Sequence, residues 1–226
     1  MSNPRTNTIG GGQIINEYNL FLRARDFPCI GAKAAVSKHH VKCFVGLDMA
    51  SPEEDEELLT FIYEFVDTYR SSSDTFHSAA VIFRNPQSLT ENEFEDMLWL
   101  RLNSLIELDR KNYHHDKRVD PDPESNRFSF SLKEEAFFII GLHPASSRKA
   151  RRFTYPAIVF NPHEEFERLK RTGRYESMKN AVRHRDEVYS GSVNPMLTDF
   201  GEAPEVFQYS GKKYEPTWKC PLHHKP

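Results

Sequence analysis

Apolar residues recur at helical spacing in QIINEYNLFLRARDF, where Ile14, Ile15, Tyr18, Phe21 and Leu22 share one stripe. Pro28 is expected to stop that helix near Asp26. CIGAKAAV predicts a second short helix, and VKCFVGLD a strand. Residues 51–69 open with Ser-Pro-Glu-Glu, an N-cap with Pro at the first helical position, and carry Leu58, Leu59, Ile62, Phe65, Val66 and Tyr69 on one face. SAAVIFR predicts a strand, and Thr90 with Glu93 forms a capping box before a long helix. YHHDKRVDPDPESN is polar and proline-interrupted, so it predicts a loop. Beyond it Phe128, Phe130 and Leu132 alternate, and residues 136–142 form a continuous apolar run, which together predict a hairpin with a central strand.

YPAIVF predicts a further buried strand, running straight into NPHEEFERLKRTG. There Asn161 is the expected cap, Pro162 the first helical residue, and Gly173 the end, which puts His163 in the first turn. A helix over about residues 175–189 and a Gly-, Asn- and Pro-rich tail complete the chain. Strands and helices interleave without a regular βαβ rhythm. The pattern therefore predicts one α+β domain over residues 1–226, with a mixed, mostly antiparallel sheet flanked by helices.

Length and composition narrow the class. The 226 residues suffice for one sizeable core, and 17 Phe, 9 Tyr and 2 Trp supply bulky material for it. A net charge of -3 argues against a chain-wide nucleic-acid surface. No segment approaches the roughly 20 apolar residues of a membrane span, and the N-terminus lacks the apolar core of a signal peptide, so a cytoplasmic protein is expected. Cys29, Cys43 and Cys220 show no zinc-like spacing and read as reduced thiols.

The candidate chemistry is concentrated in FFIIGLHPASSRKARRF and around His163. His143 ends the apolar run before a Pro, where its ring either faces a pocket or serves as a hydrogen-bonded structural group. At a helix start, His163 is expected to be neutral, the form that binds a metal, or else a simple helix-start polar residue. Arg148, Arg151 and Arg152 with Lys149 form either a carboxylate-binding cluster or a solvated loop. Cys29 sits where a helix N-terminus would stabilise a thiolate, with a small buried thiol as the alternative. The adjacent pairs His39/His40 and His114/His115 read as surface residues, and His223/His224 as a solvated tail. No Gly-rich phosphate loop, HExxH helix, CxxC pair or GxSxG elbow is present.

FPCIGAKAA, RFSFSLKEEAFFIIGLHPASSRKARRF, PAIVFNPHEEFERLK, GSVNPMLTDFGE and QYSGKKYEPTWKCP, in this order, resemble the YqcI/YcgG family over residues 13–221. The resemblance implies a haem b protein that uses O2 with an external reductant, or peroxide, to hydroxylate a nitrogen of arginine or an arginine-derived guanidino or amino substrate. Such haem-dependent N-hydroxylases serve the guanitoxin and D-cycloserine pathways. A non-catalytic haem sensor or store, and a His-liganded non-haem metal protein, are the alternatives.

In that picture His163 is the expected axial ligand to iron, with His143 or Cys29 as alternatives. His143 would then steer protons in the same pocket. Arg148 and Arg152 would hold haem propionates or a substrate carboxylate, and Glu164, Glu165 and Glu202 are candidate partners for a guanidinium. Two positions depart from the family pattern: Glu165 stands where Gln is expected, and CPL where CPF is usual. The electron donor and oligomeric state stay open, a homodimer included.

Overall fold

The computed structural model describes residues 10–192, 194, 196, 201–215 and 217–222. Helix α1 (Gly11–Arg23) buries Ile14, Tyr18 and Leu22, and ends before the predicted Asp26. Helix α2 (Ile30–Ser37) is capped by Cys29, whose Sγ accepts from Ala32 N at 3.4 Å. Strand β1 (Val41–Asp48) follows. Ser51 caps a single 3-10 turn, Pro52–Glu54, ahead of α3 (Asp55–Arg70). Strand β2 (Ser78–Asn85) leads to α4 (Glu91–Asp109), where both hydrogen bonds of the Thr90/Glu93 capping box are made.

The predicted hairpin is β3 (Phe130–Leu132) and β4 (Glu135–Leu142). Its two-residue turn puts Lys133 and Glu134 at φ 52° and 55°, the left-handed geometry that matches the twist of paired strands. Strand β5 (Ala157–Pro162) runs into α5 (His163–Arg171), and α6 (Tyr175–Ser190) follows. Asn161 does not cap α5 as expected. Its amide is used inside the sheet, accepting from Ser78 Oγ at 3.0 Å and donating to Phe138 O at 3.3 Å. The Gly-, Asn- and Pro-rich tail holds the one-turn helix α7 (Val206–Tyr209), which the sequence pattern did not predict.

The sheet order is β1-β2-β5-β4-β3, with β1 parallel to β2 and the other pairs antiparallel. This is the predicted α+β architecture. One face, with Phe44, Phe83, Phe137, Ile139 and Phe160, is covered by α3 and α4. The other, with Val45, Ile82, Leu142 and Val159, packs against α1 and Phe153.

Strand β3 is short and pairs only with residues 135–137 of β4. Arg151 and α7 tie down the strand beyond: Arg151 Nη1 donates to Gly141 O at 3.2 Å and Tyr209 O at 2.8 Å, and Nη2 to Gln208 O at 2.6 Å. Space here is tight. A Cβ at Gly141 would lie 2.6 Å from a ring carbon of Phe94 and 3.1 Å from Tyr209 O. Gly141→Ala is therefore expected to cost about 1–3 kcal/mol of overpacking strain, read from urea unfolding. An unchanged midpoint would show that Phe94 yields freely.

Candidate functional site

Burial sets the chemistry at the start of α5. His163 is buried, and its Nε2 lies 3.5 Å from Oε1 of buried Glu205. That distance suits an ion pair or a neutral pair. Burial favours the neutral pair, pulling the imidazole down to about 4 and lifting the carboxyl to about 8. Ser129 Oγ and Tyr209 OH donate to Glu205 Oε2 at 3.0 and 3.3 Å, and both favour the ionised form, but desolvation outweighs them. Near neutral pH a bare imidazole thus faces a protonated carboxyl. The expected neutrality of His163 holds, with burial rather than the helix start as its chief cause.

His163 borders a cavity of about 320 Å³, lined also by Arg118, Arg127, Glu164, Glu167 and Lys170. Arg118 braces one wall. It donates to both Asp116 oxygens, to Glu135 Oε1 at 2.9 Å and to Glu164 Oε2 at 3.3 Å. Burial alone would raise the Asp116 carboxyl, but hydrogen bonds from Arg118 hold it below its usual value. Lys170 pairs with Glu167 at 2.8 Å. Arg118 comes from the polar loop and Glu205 from the tail, so neither had a sequence signal linking it to His163.

The two histidines singled out in the sequence do not meet. Phe137 pairs with Pro162 across the β4/β5 ladder, and His143 lies beyond the other end of β4. The six residues from Phe137 to His143, at about 3.4 Å each, put roughly 20 Å between the two sites. A shared pocket with one histidine on iron and the other steering protons is therefore corrected by the strand direction. His143 is 0% exposed and stacked on Phe94 at 4.2 Å, with neither ring nitrogen hydrogen-bonded among the described residues. The structural alternative, a hydrogen-bonded ring, fails as well.

The basic cluster is dispersed. Arg148 Nη2 pairs with Asp186 at 2.5 Å and donates to Ser192 O at 3.0 Å. Arg152 bonds the carbonyls of Ser146 and Ser147 at 2.6 and 3.2 Å. Neither lines the His163 cavity, where the cations are Arg118, Arg127 and Lys170. At Cys29 burial raises the thiol further than the amides of Ala32 and Gly31 lower it, so a stabilised thiolate is not what the helix start provides.

Of the candidate acids, Glu164 lines the cavity. Glu165 turns away from it: its Oε1 accepts from both N and Nδ1 of His77 at 3.2 Å. His77 had gone unnoticed, and its ring stacks at 4.3 Å on His40, which is therefore half-buried rather than a surface residue. His115 is half-buried too, while His39 and His114 are exposed. Glu202 is exposed, and His223 and His224 lie outside the described residues.

The donor types at this site, a neutral imidazole with the cations Arg127 and Lys170, are those a haem takes. The protonated Glu205 Oε1 faces His163 Nε2, however, so a ring nitrogen is open to iron only where Glu205 gives up that proton. At about 320 Å³ the cavity is sized for an amino-acid-like molecule, so seating the macrocycle requires its walls to part. Among the described residues no group of three or more His, Cys, Asp or Glu is arranged to hold a metal ion. No helix among them is long and apolar enough to cross a membrane.

The sequence model of the YqcI/YcgG family matches residues 18–223. The chain is 30% identical over 184 residues to the uncharacterized protein YqcI of Bacillus subtilis (strain 168), covering 78% of this chain and 71% of that protein. It is 26% identical over 185 residues to the uncharacterized protein YcgG of the same organism, covering 79% and 72% respectively. No solved structure matches.

Proposed function

Because the chain belongs to the YqcI/YcgG family, we propose that it is a haem-dependent monooxygenase that hydroxylates a nitrogen of a guanidino or amino substrate. The observation that carries the reading is the buried pair of neutral His163 and Glu205 on a cavity lined by charges of both signs. When bound, haem would supply the oxidising power, drawn from O2 and an external reductant or from peroxide. His163 Nε2 faces Glu205, which fixes the orientation of the imidazole ring. Arg127, and Lys170 on leaving Glu167, would take carboxylates of the cofactor or substrate, and Glu164 and Glu167 would take a guanidinium or ammonium group in exchange for Arg118 and Lys170.

The test is an absorption spectrum of protein produced with ample haem, oxidised, reduced and under CO, alongside His163→Ala. We expect a Soret band with histidine-type CO behaviour, lost or displaced in the variant while the fold persists by circular dichroism. An unchanged band in His163→Ala would remove the ligand assignment, and wild-type protein without haem would sink the reading. Hydroxylated product from arginine or a related guanidine then separates the enzyme from a haem sensor or store, which would retain the band without turnover.

A further inference from the structure

Of the dispersed Arg/Lys run, Arg148 is paired with a carboxylate and Arg151 and Arg152 are held by carbonyls, while the Lys149 ammonium has neither among the described residues. Lys149 lies in the rim of an open cavity of about 590 Å³ between the α1–α2 turn and α6, lined by Arg25, Asp26, His184, Arg185, Val188 and Tyr189. Its ammonium sits 4.6 Å from the centre of the Tyr189 ring, and among the described residues neither it nor the exposed Arg25 has an ion pair. The third cation is held in place. Arg185 Nη2 donates to Arg25 O at 2.9 Å and Phe27 O at 3.0 Å, so carbonyls fix the guanidinium with no ion pair among the described residues. Its Nε is buried without an acceptor.

Lys33 repeats the device beside it, donating to Ala24 O at 2.6 Å and Arg25 O at 2.9 Å. Burial and the nearby Arg185 charge both push the Lys33 ammonium down, and Asp26 only partly opposes them. Three cations against one carboxylate line this concavity, in a chain whose net charge is -3. Like charges pinned to backbone carbonyls around an open hollow repel one another, and a bound anion relieves that repulsion.

We propose that this cavity, separate from the His163 site, binds a dianionic small molecule, a phosphate compound or a dicarboxylate, through Lys149, Arg25 and Arg185. Arg185 is the preorganised anchor, and Lys149 and Arg25 close over the ligand from the rim. The inference does not depend on the haem reading.

Calorimetric titration of the full chain at low salt with pyrophosphate, inorganic phosphate and succinate tests it, alongside Lys149→Glu and Arg25→Glu. Both substitutions lie on exposed side chains and leave the turn held by Arg185 and Lys33 intact. We expect saturable binding of at least one probe, weakening with added salt and falling at least about tenfold in each variant at unchanged thermal midpoint. Preference for the phosphates over succinate identifies a phosphate compound as the ligand, and the reverse order a dicarboxylate. No binding at millimolar probe, or affinities that both charge reversals leave unchanged, would overturn the proposal. So would binding of an acidic peptide alone.

Discussion

Asp55→Ala is expected to lose about 3–5 kcal/mol of stability, because it strands a buried guanidinium. Arg101 is 1% exposed, the largest fully buried side chain, and its Nη1 donates to Asp55 Oδ1 at 2.6 Å and Ser51 O at 2.8 Å. Burial raises the Asp55 carboxyl, although bonds from Ser104 and Arg101 pull it back. The pair therefore contributes modestly in itself, while removal of one member is severe. Urea unfolding of Asp55→Ala, Arg101→Met and the double variant checks this. The double should be less destabilised than the sum of the singles by more than about 1 kcal/mol. Strict additivity would mean that the two charges do not depend on each other.

His143→Leu is expected to stabilise the protein, and to stabilise it more as the solution is acidified. Both ring nitrogens are buried without partners, so replacing the ring by an apolar side chain removes an unpaid desolvation of about 1–3 kcal/mol near neutral pH. Burial also holds the imidazole down to about 4; Glu91 opposes the shift and Arg151 adds to it. Below about 6.5 the unfolded chain takes a proton on His143 that the folded chain refuses, so wild-type stability falls from there towards pH 4. Over that interval the difference between variant and wild type should widen by about 3 kcal/mol, as 2.5 pK units at 1.36 kcal/mol each.

The comparison has to be made between the two proteins rather than on wild type alone. His163 falls in the same window, while the raised carboxyl of Glu205 works the other way, stabilising the fold as pH drops from about 8. A pH-independent difference would show that His143 has a partner in solution. Loss of haem or product in a stabilised His143→Leu protein would return this residue to the site.

Much of the fold was legible because it rests on local rules. Spacing of Leu58, Ile62 and Phe65, the Thr90/Glu93 box and the alternation of Phe128, Phe130 and Leu132 each depend on near neighbours, and each element formed, although α3 starts at Asp55 behind a 3-10 turn and β3 only at Phe130. Caps that compete with the sheet were misjudged: Asn161 has the right chemistry for a cap, but Ser78 and the Phe138 carbonyl take its amide. The helix in the tail was not predicted, for the complementary reason. Four residues of α7 carry no periodicity, and the segment is ordered by Arg151 and the edge of β4.

For the site, the sequence by itself determined that His163 begins a helix directly after a buried strand, and it brought the family into view. Tertiary structure decided the rest. The antiparallel pairing of β4 and β5 sends His143 and His163 to opposite ends of the sheet, a consequence of strand direction that no local pattern encodes. Packing of the tail brings Glu205 to His163 across 42 positions of chain, and burial then sets the protonation of both groups. The basic run was visible as charge, but which members are spent on carbonyls and carboxylates, and which remain open to a ligand, depends on distant residues meeting in space.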